Sequence, residues 1–215
     1  EDQAKSQAFI PALIRWGRSY FSRIYVKFIK KYRLGASLLE AGCGSAVSTL
    51  QLASQNKEAK RVTLLDFSPQ SVMIAKRNSL MYGVDANCIV GDVHLMPFKA
   101  YSFDFVWNMG LLEHFENPFP IILEMERVTK KGGKVAAIVP FKYAPLTFLS
   151  ALLKPLTKVT RKYEKLQTWE ETKRICSSKH LQQEFEEAGL EKVKVVSVPG
   201  SFFHTVAVIG EKASN

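Results

Sequence analysis

The stretch Ser37-Leu38-Leu39-Glu40-Ala41-Gly42-Cys43-Gly44-Ser45-Ala46 decides how the rest of the chain is read. Ser37 to Ala41 is a short, mostly apolar run, the next residues form a glycine-rich turn, and Ser48 to Ser54 continues with a helical period. A strand passing through such a turn into a helix opens an α/β unit, and glycines there let backbone come close to a ligand at the strand's carboxyl end. Two glycines alone are also ordinary tight-turn chemistry, so the flanking sequence has to choose.

Working outward, the same alternation repeats. Arg61 to Asp66 reads as a strand, Pro69 to Tyr82 as a helix opening on Pro, Asn87 to Val90 and Phe103 to Asn108 as strands, Pro118 to Thr129 as a helix and Gly133 to Val139 as a strand. Near-continuous apolar strands separated by helices predict a doubly wound, mainly parallel α/β sheet covered on both faces. After Pro140 the alternation lapses until the helix Ser178 to Ala188, capped by Gly189. The strands Lys192 to Val198 and Phe203 to Gly210 follow, joined by Pro199, Gly200, Ser201 and Phe202. That link is too short for a crossover and predicts an antiparallel last pair.

Chemistry-bearing residues recur at the strand ends. The second core strand ends in Asp66, 24 residues beyond Gly42, followed by Phe67 and Ser68. The third ends in Gly91-Asp92-Val93 and the fourth in Asn108-Met109-Gly110. An acid at the end of the second strand can accept both hydroxyls of a ribose. A dinucleotide fingerprint would place a third Gly where Val47 stands, and its phosphate would be repelled by Glu40. The ligand should therefore offer a ribose, an adenine-like edge for Asp92 and a cationic group that tolerates Glu40.

S-adenosylmethionine (SAM) meets all three requirements, and the motifs agree. LLEAGCGSAVSTLQLA, VTLLDFSPQSVMIAKRN, IVGDVHLMPF and FDFVWNMGLLEHF, followed by a helix and GGKVAAIVP, occur in order from Ser37 to Val139. This half of the chain resembles a class I, Rossmann-like SAM-dependent methyltransferase, closest to the type 11 small-molecule group, with Ala46 where a third Gly is common. The resemblance implies a seven-stranded sheet with an antiparallel last strand. It implies that Glu40, Ala41, Gly42, Cys43 and Gly44 surround the methionine part and that Asp66 holds the ribose. Phe67 and Ser68 would flank the adenine, Gly91, Asp92 and Val93 would read its amino edge, and Asn108, Met109 and Gly110 would face the reacting end. S-adenosylhomocysteine is the implied product.

Methyl transfer from a sulfonium is an in-line displacement, so positioning can supply most of the catalysis. Where the acceptor carries a proton, a base can add roughly 10²- to 10⁴-fold. His114, in Leu112-Glu113-His114-Phe115, is the candidate catalytic base, with loop packing as its alternative role. Glu113 reads as structural or as orienting the acceptor. His94 reads as an adenine-pocket lining or an exposed residue, and Cys43 as small packing in the turn. His180 and His204 have no companion ligands nearby in sequence, so no metal is expected.

Charge and composition bound the rest. The chain has 215 residues, 47% hydrophobic and 23% charged, as an ordinary globular protein does. Its three widely spaced cysteines suit a reducing, cytoplasmic setting rather than a disulfide framework. The net charge is +10, yet 8 basic residues lie between Gln3 and Leu39 and 5 between Pro140 and Tyr163, with no acid in either segment. Removing those 13 from the 30 basic residues leaves 17 against 20 acidic, a net of −3. The expected organisation is a basic amphipathic helical extension at 1–34, with Phe9, Leu13, Trp16, Tyr20, Ile24 and Phe28 as its apolar stripe. A methyltransferase domain follows at 35–215, with 141–177 inserted as a lid over the acceptor. Neither a secretory leader nor a spanning helix is read from the sequence.

Those basic, apolar segments suit a small-molecule acceptor that is anionic or lipid-like, with peripheral membrane contact as a further partner, or simply a lid with a solvated basic face. An RNA acceptor is the competing use of the charge. Asn108-Met109-Gly110-Leu111 is not the Asn-Pro-Pro-aromatic pattern of enzymes acting on base amino groups, which disfavours nucleic acid. A SAM-binding protein without transferase activity is the remaining alternative. Oligomeric state is not legible in the sequence.

Overall fold

The computed structural model describes residue 20 and residues 22–32, 35–56, 58–140, 178–201 and 205–214. The expected lid at 141–177 and residues 1–19 of the basic extension lie outside the described residues, as do Cys176 and His204. Residues 22–29 are helical (α1). The chain then runs β1 (Ser37–Ala41), α2 (Val47–Ser54), β2 (Arg61–Asp66), α3 (Pro69–Tyr82), β3 (Ala86–Val90), β4 (Phe103–Met109), a 3-10 turn (Leu112–His114), α4 (Phe119–Val128), β5 (Thr129–Pro140), α5 (Ser178–Glu187), β6 (Leu190–Ser197) and β7 (Thr205–Lys212).

The strands form one seven-stranded sheet in the order β3-β2-β1-β4-β5-β7-β6. β1 pairs in parallel with β2 and β4; β7 is antiparallel to β6, as the short link predicts, and to β5. The order reverses beside β1, between β2 on one side and β4 on the other, and a crevice at the carboxyl ends is expected at that switch. β1 is an interior strand, third of the seven, with all five residues buried. Its amino end is fastened by Asp104, whose Oδ2 accepts from the Ser37 amide at 2.8 Å while Lys130 Nζ reaches Oδ1 at 2.8 Å. Partial burial pushes the Asp104 carboxyl upward, but Lys130 and the Ser37 donors outweigh it and hold the group below its usual range.

Both faces of the sheet are covered, which is why the strands lack polar alternation. On one face Val135, Ala137, Val139, Val206 and Val208 pack with Ile121, Ile122 and Met125 of α4 and Leu181 and Phe185 of α5. On the other, Phe105, Trp107, Ala136, Ile138, Ala207 and Ile209 meet Tyr25, Val26, Phe28 and Ile29 of α1. The buried stripe of α1 is thus turned relative to the expected one: Tyr20 and Ile24 are only partly buried, and Tyr25, Val26 and Ile29 join Phe28 against the sheet. A three-and-four spacing fits several adjoining stripes when apolar residues are this dense, and packing on the flat sheet selects the widest.

Element boundaries differ from expectation mainly at β5. The sequence places its start at Gly133, after a helix read as running to Thr129, yet the strand begins at Thr129. Pairing passes from Phe103–Thr129 to Phe105–Lys134, so residues 130–133 form a bulge rather than a break. Gly132 takes φ +71°, a conformation that glycine adopts without a Cβ penalty. Likewise α4 spans Phe119–Val128, α5 stops at Glu187, and the last strands run Leu190–Ser197 and Thr205–Lys212.

Candidate active site

The turn after β1 supplies the floor of the site. Gly42 has φ +68°, and a Cβ there would lie 2.5 Å from Leu111 Cδ1, so both backbone and space call for glycine. Cys43 N donates to Leu65 O at 2.9 Å, tying the turn to the end of β2. Gly44 is also left-handed, and a Cβ built on it meets nothing, which leaves the turn open above it. Ala46, at the third-glycine position, adopts φ +55°, the left-handed form that a glycine would take more readily.

Asp66 organises the neighbouring end. Its Oδ2 accepts from Gly44 N at 2.8 Å and its Oδ1 from Ser68 N at 2.9 Å, while its carbonyl accepts from Gly91 N at 3.0 Å. Three strand-end loops are thereby drawn onto one residue. Ser68 also caps α3, its Oγ accepting from Ser71 N at 3.3 Å, with Pro69 at the first turn. One loop further, Asp92 Oδ1 accepts from His94 N at 2.9 Å and meets His94 Nδ1 at 2.9 Å. These bonds hold the Asp92 carboxyl below its usual range. The His94 ring stands edge-to-face against Phe115, with centroids 4.9 Å apart.

Together these loops enclose a cavity of about 340 Å³ lined by Gly42, Asp66, Phe67, Asp92, Val93, His94, Leu111 and Phe115. That size and its apolar wall with few polar groups suit a small-molecule site. Five expected residues, Gly42, Asp66, Phe67, Asp92 and Val93, form its wall. Gly44, Ser68 and Gly91 stand behind it, bonded to Asp66. His114 does not line it and is exposed at the end of the 3-10 turn. Leu111 and Phe115 were not singled out from the sequence, although their i, i+4 spacing just beyond Gly110 is the signal that could have found them. A larger cleft of about 610 Å³ lies by the amino ends of β2 and β3, lined by Lys60, Arg61, Asn87, Lys99 and neighbours. It lacks the glycine turn and the strand-end acids.

Near the same strand ends, though not among the residues that line the cavity, buried polar oxygens are left over. Glu40 is 2% exposed, and its Oε2 has no hydrogen-bond partner among the described residues. Burial pushes its carboxyl up to about 8, the nearby Asp66 charge adds to this, and the Thr49 hydroxyl only partly offsets it. Asn108 is fully buried; its Nδ2 contacts Met125 Sδ at 3.2 Å, and its Oδ1 is unpartnered among the described residues. Glu113 Oε2 is in the same position, and burial raises that carboxyl as well. Burial also raises the Cys43 thiol well above its ordinary value, which suits the packing role expected of it in the turn.

The comparisons with known proteins give the family and the fold. Residues 39–137, from the middle of β1 into β5, match the type 11 methyltransferase-domain family. The chain belongs to the class I SAM-dependent methyltransferases. The demethylmenaquinone methyltransferase of Bacillus cereus strain B4264 is 28% identical over 171 residues, covering 75% of this chain and 72% of that protein. The one from Bacillus velezensis is 29% identical over 182 residues, covering 80% and 78%. Among solved structures, a SAM-dependent methyltransferase from Aquifex aeolicus superposes with a TM-score of 0.66 at 19% identity, covering 86% of this chain and 87% of that one, a likeness of fold. For this methyltransferase, an open glycine turn, an acid on the second strand and an unpartnered buried carboxylate on the first fit the sugar and the cationic amino acid of SAM.

Proposed function

We propose that this methyltransferase binds SAM in the 340 Å³ cavity and passes its methyl group to a small, lipid-like acceptor seated beyond the carboxyl end of β4. The observation that carries the reading is the set of buried, unpartnered oxygens on Glu40, Asn108 and Glu113, because such groups are costly unless a ligand completes them. SAM, when bound, supplies an electrophilic methyl on a sulfonium. Each Asp66 oxygen accepts one backbone amide and keeps a lone pair for a ribose hydroxyl. Glu40 faces the α-ammonium group, and Asp92, held by His94, takes the adenine amino group. Phe67 covers the base.

On the acceptor side, Glu113 Oε2 accepts a hydrogen bond from the acceptor's hydroxyl and takes up its proton, which makes the acceptor's nucleophilic atom electron-rich while it is held in line with the transferable methyl. His114, exposed one residue later, is the second proton acceptor within reach of that end. The name carried by the Bacillus relatives supports a quinol-like acceptor, a lipid-soluble molecule with an acidic hydroxyl. Methyl transfer from radiolabelled SAM to a short-chain demethylmenaquinol tests the reading. Incorporation is expected; SAM binding without transfer to any member of a quinol and phenol panel would overturn the acceptor, and absence of SAM binding would overturn the site.

A further inference from the structure

Helix α3 presents an outer face that nothing among the described residues covers. Met73 is 72% exposed, Ile74 51%, Leu80 78% and Met81 74%. At 100° per residue Met73 and Leu80 fall together, as do Ile74 and Met81, and exposed Arg77 lies between the two pairs with Lys76 at the rim. The inner face is fixed: Val72, Ala75 and Ser79 are buried, and Asn78 Nδ2 donates to Ser45 O at 2.8 Å in the turn behind β1. Solubility would place polar residues on the outer face of such a helix, and a contiguous exposed apolar surface marks a contact.

We infer that the outer face of α3 docks on the surface of an anionic lipid bilayer. The charge pattern selects this occupant. The whole helix, PQSVMIAKRNSLMY, contains two basic residues and no acid. Pairing with a second copy through the same face would set Arg77 and Lys76 against their own copies, and like charges at an interface are unfavourable. The apolar members are all flexible aliphatic or thioether side chains, without the aromatic anchors that dominate protein–protein contacts. A bilayer interface accepts this mixture: the apolar side chains enter the acyl boundary while Arg77 and Lys76 extend to lipid phosphates. α3 starts three residues after Asp66, so its amino end adjoins the cavity while Leu80 and Met81 lie at its far end. The inference stands on the helix face and does not rest on the acceptor proposed above.

Co-sedimentation of the full chain with vesicles tests it, using phosphatidylcholine alone and equimolar phosphatidylcholine and phosphatidylglycerol, at low and high salt. Native protein should bind the anionic vesicles and be released by salt. The triple variant Met73→Ser/Leu80→Ser/Met81→Ser should lose roughly tenfold or more of that binding, and Lys76→Ala/Arg77→Ala roughly tenfold at low salt. Both variants should keep native circular dichroism and SAM affinity, since every altered side chain is exposed. Native protein that binds neither vesicle, or a triple variant that binds as well as native, would overturn the inference. So would a native dimer that the triple substitution dissociates, which would assign the face to a second copy. Failure to methylate the quinol would overturn the acceptor reading and leave the vesicle result standing.

Discussion

Glu40 is a carboxyl that the folded protein holds in its protonated form at neutral pH, because burial pushes it up to about 8. Unfolded, the same group titrates near 4.3. Its neutral form therefore favours the fold fully below that value, and this contribution is lost as pH rises through about 8. A cation placed against it reverses the preference. SAM binding near pH 7, where an α-ammonium group is still charged, should expel a proton from Glu40 and tighten as pH rises from 6 towards 7. Calorimetry in two buffers of different ionisation heat measures that proton; identical apparent enthalpies would contradict it. Glu40→Gln should weaken SAM binding, abolish the proton release and raise the melting temperature of the free protein above pH 7. At Asp66, replacement by Ala removes two ribose hydrogen bonds to a charged acceptor, each worth about 1.5–3 kcal/mol, and frees the Gly44 and Ser68 amides. Titration should show SAM affinity reduced at least about tenfold; unchanged affinity would remove Asp66 from the site. Both acids were legible in the sequence because each stands at a strand end where packing gives no reason for an acid. Leu111 and Phe115 were not, since an apolar residue beside a core strand looks the same whether it faces the core or a ligand.

At the scale of elements, boundaries set by local chemistry follow the sequence and those set by packing do not. β1, β2 and α3 have the bounds expected from the sequence, since each is delimited by local chemistry: Gly42, Asp66, and the Ser68–Pro69 cap. The turned stripe of α1 and the early start of β5 depend on what they pack against, which no local pattern records. Ile29 is fully buried in the sheet face despite lying outside the expected stripe, so Ile29→Ala should cost about 2–5 kcal/mol, read by denaturant unfolding. Phe28→Ala alone being disruptive would restore the original stripe. The sequence favours His114 as the base, and the burial of Glu113 in the 3-10 turn is the ground on which we propose Glu113 for that role. Glu113→Gln keeps the shape and removes the negative charge. It should lower kcat by roughly 10²-fold with SAM affinity retained, and should flatten the rise of kcat with pH through the raised Glu113 ionisation. His114→Ala, at an exposed position, should change kcat far less. The reverse ranking in the same assay would return the base to His114.

At the scale of the whole molecule, the basic surplus does not belong to the cofactor chemistry. The two acid-free segments hold 13 of the 30 basic residues, and the remainder carries −3. Much of those segments lies outside the described residues, whereas Lys76 and Arg77 on α3, which belong to the remainder, sit on an apolar face that the sequence alone did not distinguish from an ordinary amphipathic helix. The core meanwhile has three of its unmet polar groups, on Glu40, Asn108 and Glu113, near the end of the sheet where loops from β1, β2, β3 and β4 converge. A ligand completing that end binds four loops at once and favours only the folded state. With SAM at about 100 times its dissociation constant, linkage adds roughly 2.7 kcal/mol. For a chain of this length that raises the melting temperature by roughly 5–11 °C. A thermal scan with and without SAM reads it directly, and the rise should shrink in Glu40→Gln and Asp66→Ala in proportion to their lost affinity. A melting temperature indifferent to saturating SAM would mean that the strand ends do not form the binding site, whatever the likeness of fold.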